Sequence, residues 1–183
     1  MTASQIINQV FALYETRGHR QYGEEVTELQ HALQCAMFAE RAGEPAHIVA
    51  ACLLHDYGHL LHDLGEDIAE LGVDARHEEL GADALANLFI TEVVEPVRLH
   101  VAAKRYWGWR QPNYFDSLSE ASQRSLLLQG GVMTAKEAEQ FVSHPYAFAA
   151  IWLRRYDDAA KVTDLTTPSL ETYRSRLEAF VCG

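Results

Sequence analysis

Apolar residues recur along the chain in steps of three and four, the spacing of helices with one buried face. Ile6, Val10, Leu13 and Tyr14 form the first such stripe. From Glu24 the pattern predicts a long helix ending near Gly43, a residue suited to the left-handed turn that closes helices. Pro45 fits the first turn of a third helix, Ala46 to about Asp56. Gly58 to Val73 is looser, with room for one short helix. His77–Phe89 and Thr91–Trp107 read as helices, the second with Pro96 near its start. An aromatic loop, Trp107 to Phe115, leads to Ser119–Gln129, and Gly130-Gly131 breaks the pattern. Thr134–Ser143, Pro145–Lys161 and Ser169–Val181 complete the helical segments, with Thr134 and Glu137 at capping-box spacing. No segment alternates with the period of a strand. The expected fold class is all-α, eight or nine helices around one core.

Composition narrows this picture without changing it. With 183 residues, 48% hydrophobic and 22% charged, the chain suits a single domain spanning 1–183. The net charge of −11 and pI near 5.2 argue against nucleic-acid binding, which needs a basic footprint. The longest purely apolar runs, Ile48–Leu54 and Ala147–Leu153, are far shorter than the ~20 residues of a membrane span. The N-terminus lacks a basic segment followed by a long apolar run, so no signal peptide is expected. Cys35, Cys52 and Cys182 form no CxxC pair, and Cys35 and Cys52 lie in apolar segments as small hydrophobes. A monomeric cytoplasmic protein, touching neither membrane nor nucleic acid, is the expectation.

Chemistry concentrates around Leu53-Leu54-His55-Asp56-Tyr57-Gly58-His59, where an apolar helix delivers an adjacent His-Asp pair into a glycine turn. Imidazole with carboxylate suits iron, manganese or zinc better than calcium. An adjacent His-Asp alone equally describes a capped helix end. His31, His77 and His100 each lie on a different predicted helix, and Asp157 would close the set from a late one. Any one of these histidines alone reads as a satisfied core residue. Asp157 is preferred to Asp158 because it shares a helix face with Arg154. Lys104 shares a face with His100 in the same way, which places two cations beside the candidate ligands.

The order His31…His55-Asp56…Asp157, with His77 and His100 between, resembles the HD-domain superfamily of all-α metal enzymes. Most of its members hydrolyse phosphate esters; a smaller branch consists of mixed-valent diiron oxygenases, organophosphonate-cleaving enzymes among them. Tyr22 to Ala36, His55-Asp56-Tyr57-Gly58-His59 and His100 to Tyr106 are similar to that branch. Leu118 to Ser122, Gln129-Gly130-Gly131 and Arg154-Arg155-Tyr156-Asp157 continue the likeness, which spans roughly residues 20–160.

The resemblance implies two iron ions, Fe(II)/Fe(III), one held by His31, His55 and Asp157, the other by His77 and His100, with Asp56 bridging. It implies that His59, Lys104, Ser122 and Arg154 hold a phosphonate group and that Glu24 faces a cationic headgroup. Relatives carry a Tyr three residues before that Glu, where it caps an iron; Gln21 stands there in this chain, and neighbouring Tyr22 is the candidate for the role. The implied activity is O2-dependent C–P cleavage of a 1-hydroxy-2-aminoethylphosphonate or its trimethylated form. Phosphate is released with glycine or glycine betaine. Tyr22, Tyr106, Trp107 and Trp109 are candidate walls for a trimethylated headgroup, which favours that form. The alternative is a metal-dependent phosphohydrolase of the same superfamily. A phospholigand-binding module without catalysis fits less well, because all the candidate metal ligands are present. His19, His47, His62 and His144 receive no role, although His47 has a place at the pocket's edge.

Overall fold

A computed structural model describes residues 1–21, 24–65 and 71–182. Among these, ten α-helices and two 3-10 turns account for the regular structure, and the only strand-like pairing is an isolated bridge between Phe89 and Val181. The all-α expectation holds.

Helix α1 (Ala3–Arg17) starts at a capping box, Thr2 with Gln5, and buries Ile6, Ile7, Val10, Phe11 and Tyr14. Helix α2 (Glu28–Arg41) begins four residues later than its apolar pattern suggests. Thr27 and Gln30 form a second capping box there, and local hydrogen bonding overrides propensity at a helix start. Gly43 follows α2 with φ +80, the left-handed closure expected of it. Pro45 stands at the N-cap of α3 (Ala46–Leu54), one position before the first turn.

Helix α3 is buried from Ile48 through Leu54. A helix apolar on every side must lie inside the core. Its end therefore carries His55 to the centre of the molecule. The chain then makes a 3-10 turn, Tyr57–Leu60, against α4 (His77–Leu85). Gly58 permits this approach: a Cβ there would stand 1.9 Å from the His77 carbonyl oxygen and 2.9 Å from the Gly81 nitrogen.

Helix α5 (Thr91–Arg110) is the spine, packed on α3, α4 and α9 (Ala147–Ala159). Its first half joins the main apolar cluster through Val93, Val94 and Val97. Its second half joins a smaller cluster, Ala103 with Phe141, Ala150 and Ile151, closed by α8 (Ala135–Val142) and α9. His100 lies between the two. Short helices α6 (Tyr114–Ser117) and α7 (Glu120–Leu128) cover one side of this seam. The segment expected as one helix over 169–181 divides into a 3-10 turn, Leu170–Tyr173, and α10 (Arg174–Glu178). Cys35 and Cys52 are buried and unbridged. No helix among the described residues is long and apolar enough to cross a membrane.

Gly58→Ala is expected to destabilise the fold by about 1–3 kcal/mol or more, because the added methyl meets backbone rather than a yielding side chain. Thermal unfolding against the unaltered chain measures it.

Candidate metal centre and anion pocket

Four histidines, from α2, the end of α3, α4 and α5, meet in two pairs. His31 Nε2 lies 3.0 Å from His55 Nε2, and His77 Nε2 lies 3.0 Å from His100 Nε2. The other nitrogens explain what these contacts are. His31 Nδ1 is 2.8 Å from the Ala160 carbonyl, His55 Nδ1 is 2.9 Å from that of Cys52, and His100 Nδ1 is 2.7 Å from that of Val97. A carbonyl only accepts, so each Nδ1 carries a proton and donates it. In the neutral ring, Nε2 is then a bare lone pair. In the His31–His55 pair the two Nε2 atoms face each other, an arrangement that calls for a shared positive charge, a proton or a metal ion.

Carboxylates complete both groups. Asp157 Oδ1 is 3.3 Å from His31 Nε2, and its Oδ2 is 3.8 Å from His55 Nε2. Asp56 divides its oxygens. Oδ2 lies 3.3 and 3.1 Å from His31 and His55, while Oδ1 lies 3.3 and 3.4 Å from His77 and His100. One carboxylate thus faces both pairs, as a bridging ligand would. Burial disfavours charge at His31 and His55, but neighbouring Asp56 and Asp157 hold both imidazoles well above their ordinary range. Burial likewise disfavours charge at Asp56 and Asp157, and the surrounding imidazoles, with Arg154 beside Asp157, hold both well below the carboxylate range. The two carboxylates draw positive charge to the His31 and His55 nitrogens, either as protons or as a metal ion in their place.

His59 stacks on His77, rings 4.0 Å apart and 15° from parallel, and its nitrogens approach Asp56 and His77 closely enough to form a third possible ligand group. Stacked rings lie side by side, whereas His100 aims Nε2 at His77. His100 is therefore the better partner for the second ion, with His59 at its flank. Burial, with His77 nearby, keeps His59 well below its usual value.

A cavity of about 110 Å³ opens over these residues. Lys104, one turn beyond His100, is 3% exposed and donates to Ser125 Oγ at 2.8 Å. Burial and neighbouring Arg154 push its ammonium down to about 7. Arg154 donates to Asp157 Oδ2 at 2.6 Å and to Tyr114 Oη at 3.0 Å, and pairs with Asp158. Tyr114 in turn donates to Asp158 Oδ2 at 2.6 Å. Asp157 thus faces the histidines, and Asp158 faces away to brace Arg154. Glu24 and Ser122 also line the cavity.

Eleven of the twelve predicted site residues are therefore gathered here. The twelfth, Tyr22, lies outside the described residues. The proposed aromatic walls are a correction. Tyr106, Trp107 and Trp109 do not line this cavity; Tyr106 packs on Phe141, and Tyr106 and Trp107 border a separate surface depression with Phe148. The reason is helical geometry. Trp107 shares His100's face but stands about 10 Å further along α5, and Tyr106 and Trp109 turn to other sides. His47 faces Phe180 and does not border the cavity. Sequence reasoning missed Glu28, Ser125 and Lys161, which do. Glu28 had a signal, standing three residues before His31 on the same face; burial and nearby Asp56 push its carboxyl up to about 8.

The HD-domain profile matches residues 29–135, more than half of the chain. The chain belongs to the HD-domain family. It is 42% identical over 179 residues to a hydroxymethylphosphonate dioxygenase of Gimesia maris, covering 97% of this chain and 89% of that one. It is 41% identical over 164 residues to a [1-hydroxy-2-(trimethylamino)ethyl]phosphonate dioxygenase (glycine-betaine-forming) of Leisingera caerulea, covering 89% and 84%. A third relative, an uncharacterized protein of Acanthamoeba polyphaga mimivirus, is 36% identical over 174 residues. The resemblance read from the His and Asp pattern of this HD protein is thus upheld.

Lys104 supplies a pH test. Anions bind its protonated form, so the affinity for methylphosphonate is expected to fall as pH rises through about 7. Calorimetric titration at pH 6 to 9 checks this, and Lys104→Met should flatten the profile.

Proposed function

We propose that the chain catalyses O2-dependent cleavage of the C–P bond of a 1-hydroxyphosphonate, the class for which its relatives are named. Phosphate leaves with a carboxylate: glycine betaine from the trimethylated substrate, glycine from the free amine, formate from hydroxymethylphosphonate. The carrying observation is the paired imidazoles around one shared carboxylate, next to buried cations.

The donor set fits two ions, one at His31, His55 and Asp157, the other at His77 and His100, with Asp56 between. Mixed imidazole and carboxylate ligands suit iron, and an oxygenase needs a redox-active metal. Bound there, an Fe(II)/Fe(III) pair would supply the one-electron and dioxygen chemistry that protein side chains lack.

The chain's own residues bind and orient. Lys104, Ser122 and Arg154, with His59 at the flank, receive the phosphonate oxygens. Arg154 is braced by Asp158 and Tyr114, so it meets the anion already oriented. The apolar seam behind α3 and α5 keeps water from the histidines' rear faces. Overall, the hydroxyl-bearing carbon loses its bond to phosphorus and rises to the carboxylate level. O2 accepts the electrons, both its atoms end in the products, and one proton is released.

We further read the enzyme as a cytoplasmic monomer without nucleic-acid or membrane partners. The net charge of −11 supports the part of that reading that excludes nucleic acid.

Iron-loaded protein is expected to release phosphate from hydroxymethylphosphonate or 1-hydroxy-2-(trimethylamino)ethylphosphonate only when O2 is present. Release from phosphate esters without O2 would instead indicate hydrolase chemistry. His77→Ala and His100→Ala are each expected to lower bound iron from two ions to about one per chain, by metal analysis, and to abolish turnover. Full turnover with one iron would refute the two-metal assignment.

A further inference from the structure

Glu24, the acid at the outer part of the cavity, already has a cation. Lys161, just beyond α9, pairs with Glu24 Oε1 and donates to Ser122 Oγ at 2.7 Å. Ser119 Oγ donates to the same Glu24 oxygen at 2.7 Å. Both ends of the pair line the cavity, and both side chains are only about one-fifth exposed, at 20% and 21%. The carboxylate is thus neutralised from within the chain. The remaining acids are placed otherwise. Asp56 and Asp157 face the histidines, Glu28 lies buried by them, and Asp74 accepts the Arg76 backbone N–H at 3.0 Å.

We propose that Lys161 is a specificity-determining residue, an internal counter-ion of Glu24 that turns the site toward 1-hydroxyphosphonates with an uncharged substituent and against those with an ammonium headgroup. This rests on the dioxygenase reading and refines it. An incoming ammonium must displace Lys161 from Glu24 or sit beside another ammonium. Either way it forfeits what an uncharged substituent leaves undisturbed.

The test compares kcat/KM for O2-dependent phosphate release from hydroxymethylphosphonate, 1-hydroxy-2-aminoethylphosphonate and its trimethylated form, using iron-loaded full-length protein. The unaltered chain should favour hydroxymethylphosphonate. Lys161→Met should shift the ratio toward the ammonium substrates by about tenfold or more, the size of one charge-assisted contact. Lys161→Arg should keep the original order, and Lys161→Gln serves if the Met variant fails to fold. Calorimetric binding of methylphosphonate against 2-aminoethylphosphonate should show the same shift without turnover. Preference of the unaltered chain for ammonium substrates overturns the proposal. So does an equal loss for all substrates in Lys161→Met, which would make Lys161 a phosphonate ligand. A headgroup preference that changes in Asp74→Asn but not in Lys161→Met also overturns it. Phosphate release from none of the substrates sinks the dioxygenase reading instead, and the binding ratio then decides the role of Lys161 alone.

Discussion

Two imidazole nitrogens do not settle 3.0 Å apart unless a positive charge, a proton or a metal ion, lies between them. The Nε2 atoms of His31 and His55 do so, because the carbonyls of Ala160 and Cys52 claim the proton on each opposite nitrogen. Much of the architecture follows from keeping those nitrogens aimed. Helix α3 must run through the core to bring His55 to depth. The end of α9 must reach α2 so that Ala160 can fix the His31 ring. The turn after Asp56 must press against α4 closely enough to bring His77 within reach of the same carboxylate, which only glycine at position 58 allows.

The candidate ligands were legible in the sequence because each sits on, or directly follows, a helix whose apolar period announces it. A histidine in the midst of Val97, Leu99 and Val101 is conspicuous, and so is a His-Asp pair at the end of a wholly apolar helix. Helix number and order were legible for the same reason. Boundaries were less so: the start of α2 is set by Thr27 and Gln30, a local bond that outweighs the pattern from Glu24 onward. The pocket was legible where it shares a helix face with a ligand, as Lys104 does with His100 and Arg154 with Asp157. It was not legible where it depends on distant chain segments. Lys161 and Glu24 are 137 residues apart, and no local pattern pairs them. The aromatic walls failed on the same ground: composition near a site is not position in it, and two helical turns carried Trp107 past the cavity.

Arg154 shows how the metal end and the anion end constrain one another. Asp157 turns Oδ1 to His31 and Oδ2 to Arg154, so one carboxylate is shared between the candidate metal ligands and a buried cation of the pocket. Asp158 and Tyr114 close a ring of bonds around the same guanidinium. A group held at three points loses little freedom when an anion arrives, and it cannot follow an anion that binds elsewhere. Charge alone therefore does not define this pocket, in a chain whose net charge is −11. Position defines it: an anion that gains from Arg154 and Lys104 together also lies beside Asp56 and Asp157. On the proposed reading, that coupling would let an acidic protein hold a phosphonate dianion with its neighbouring carbon turned toward the candidate metal ligands.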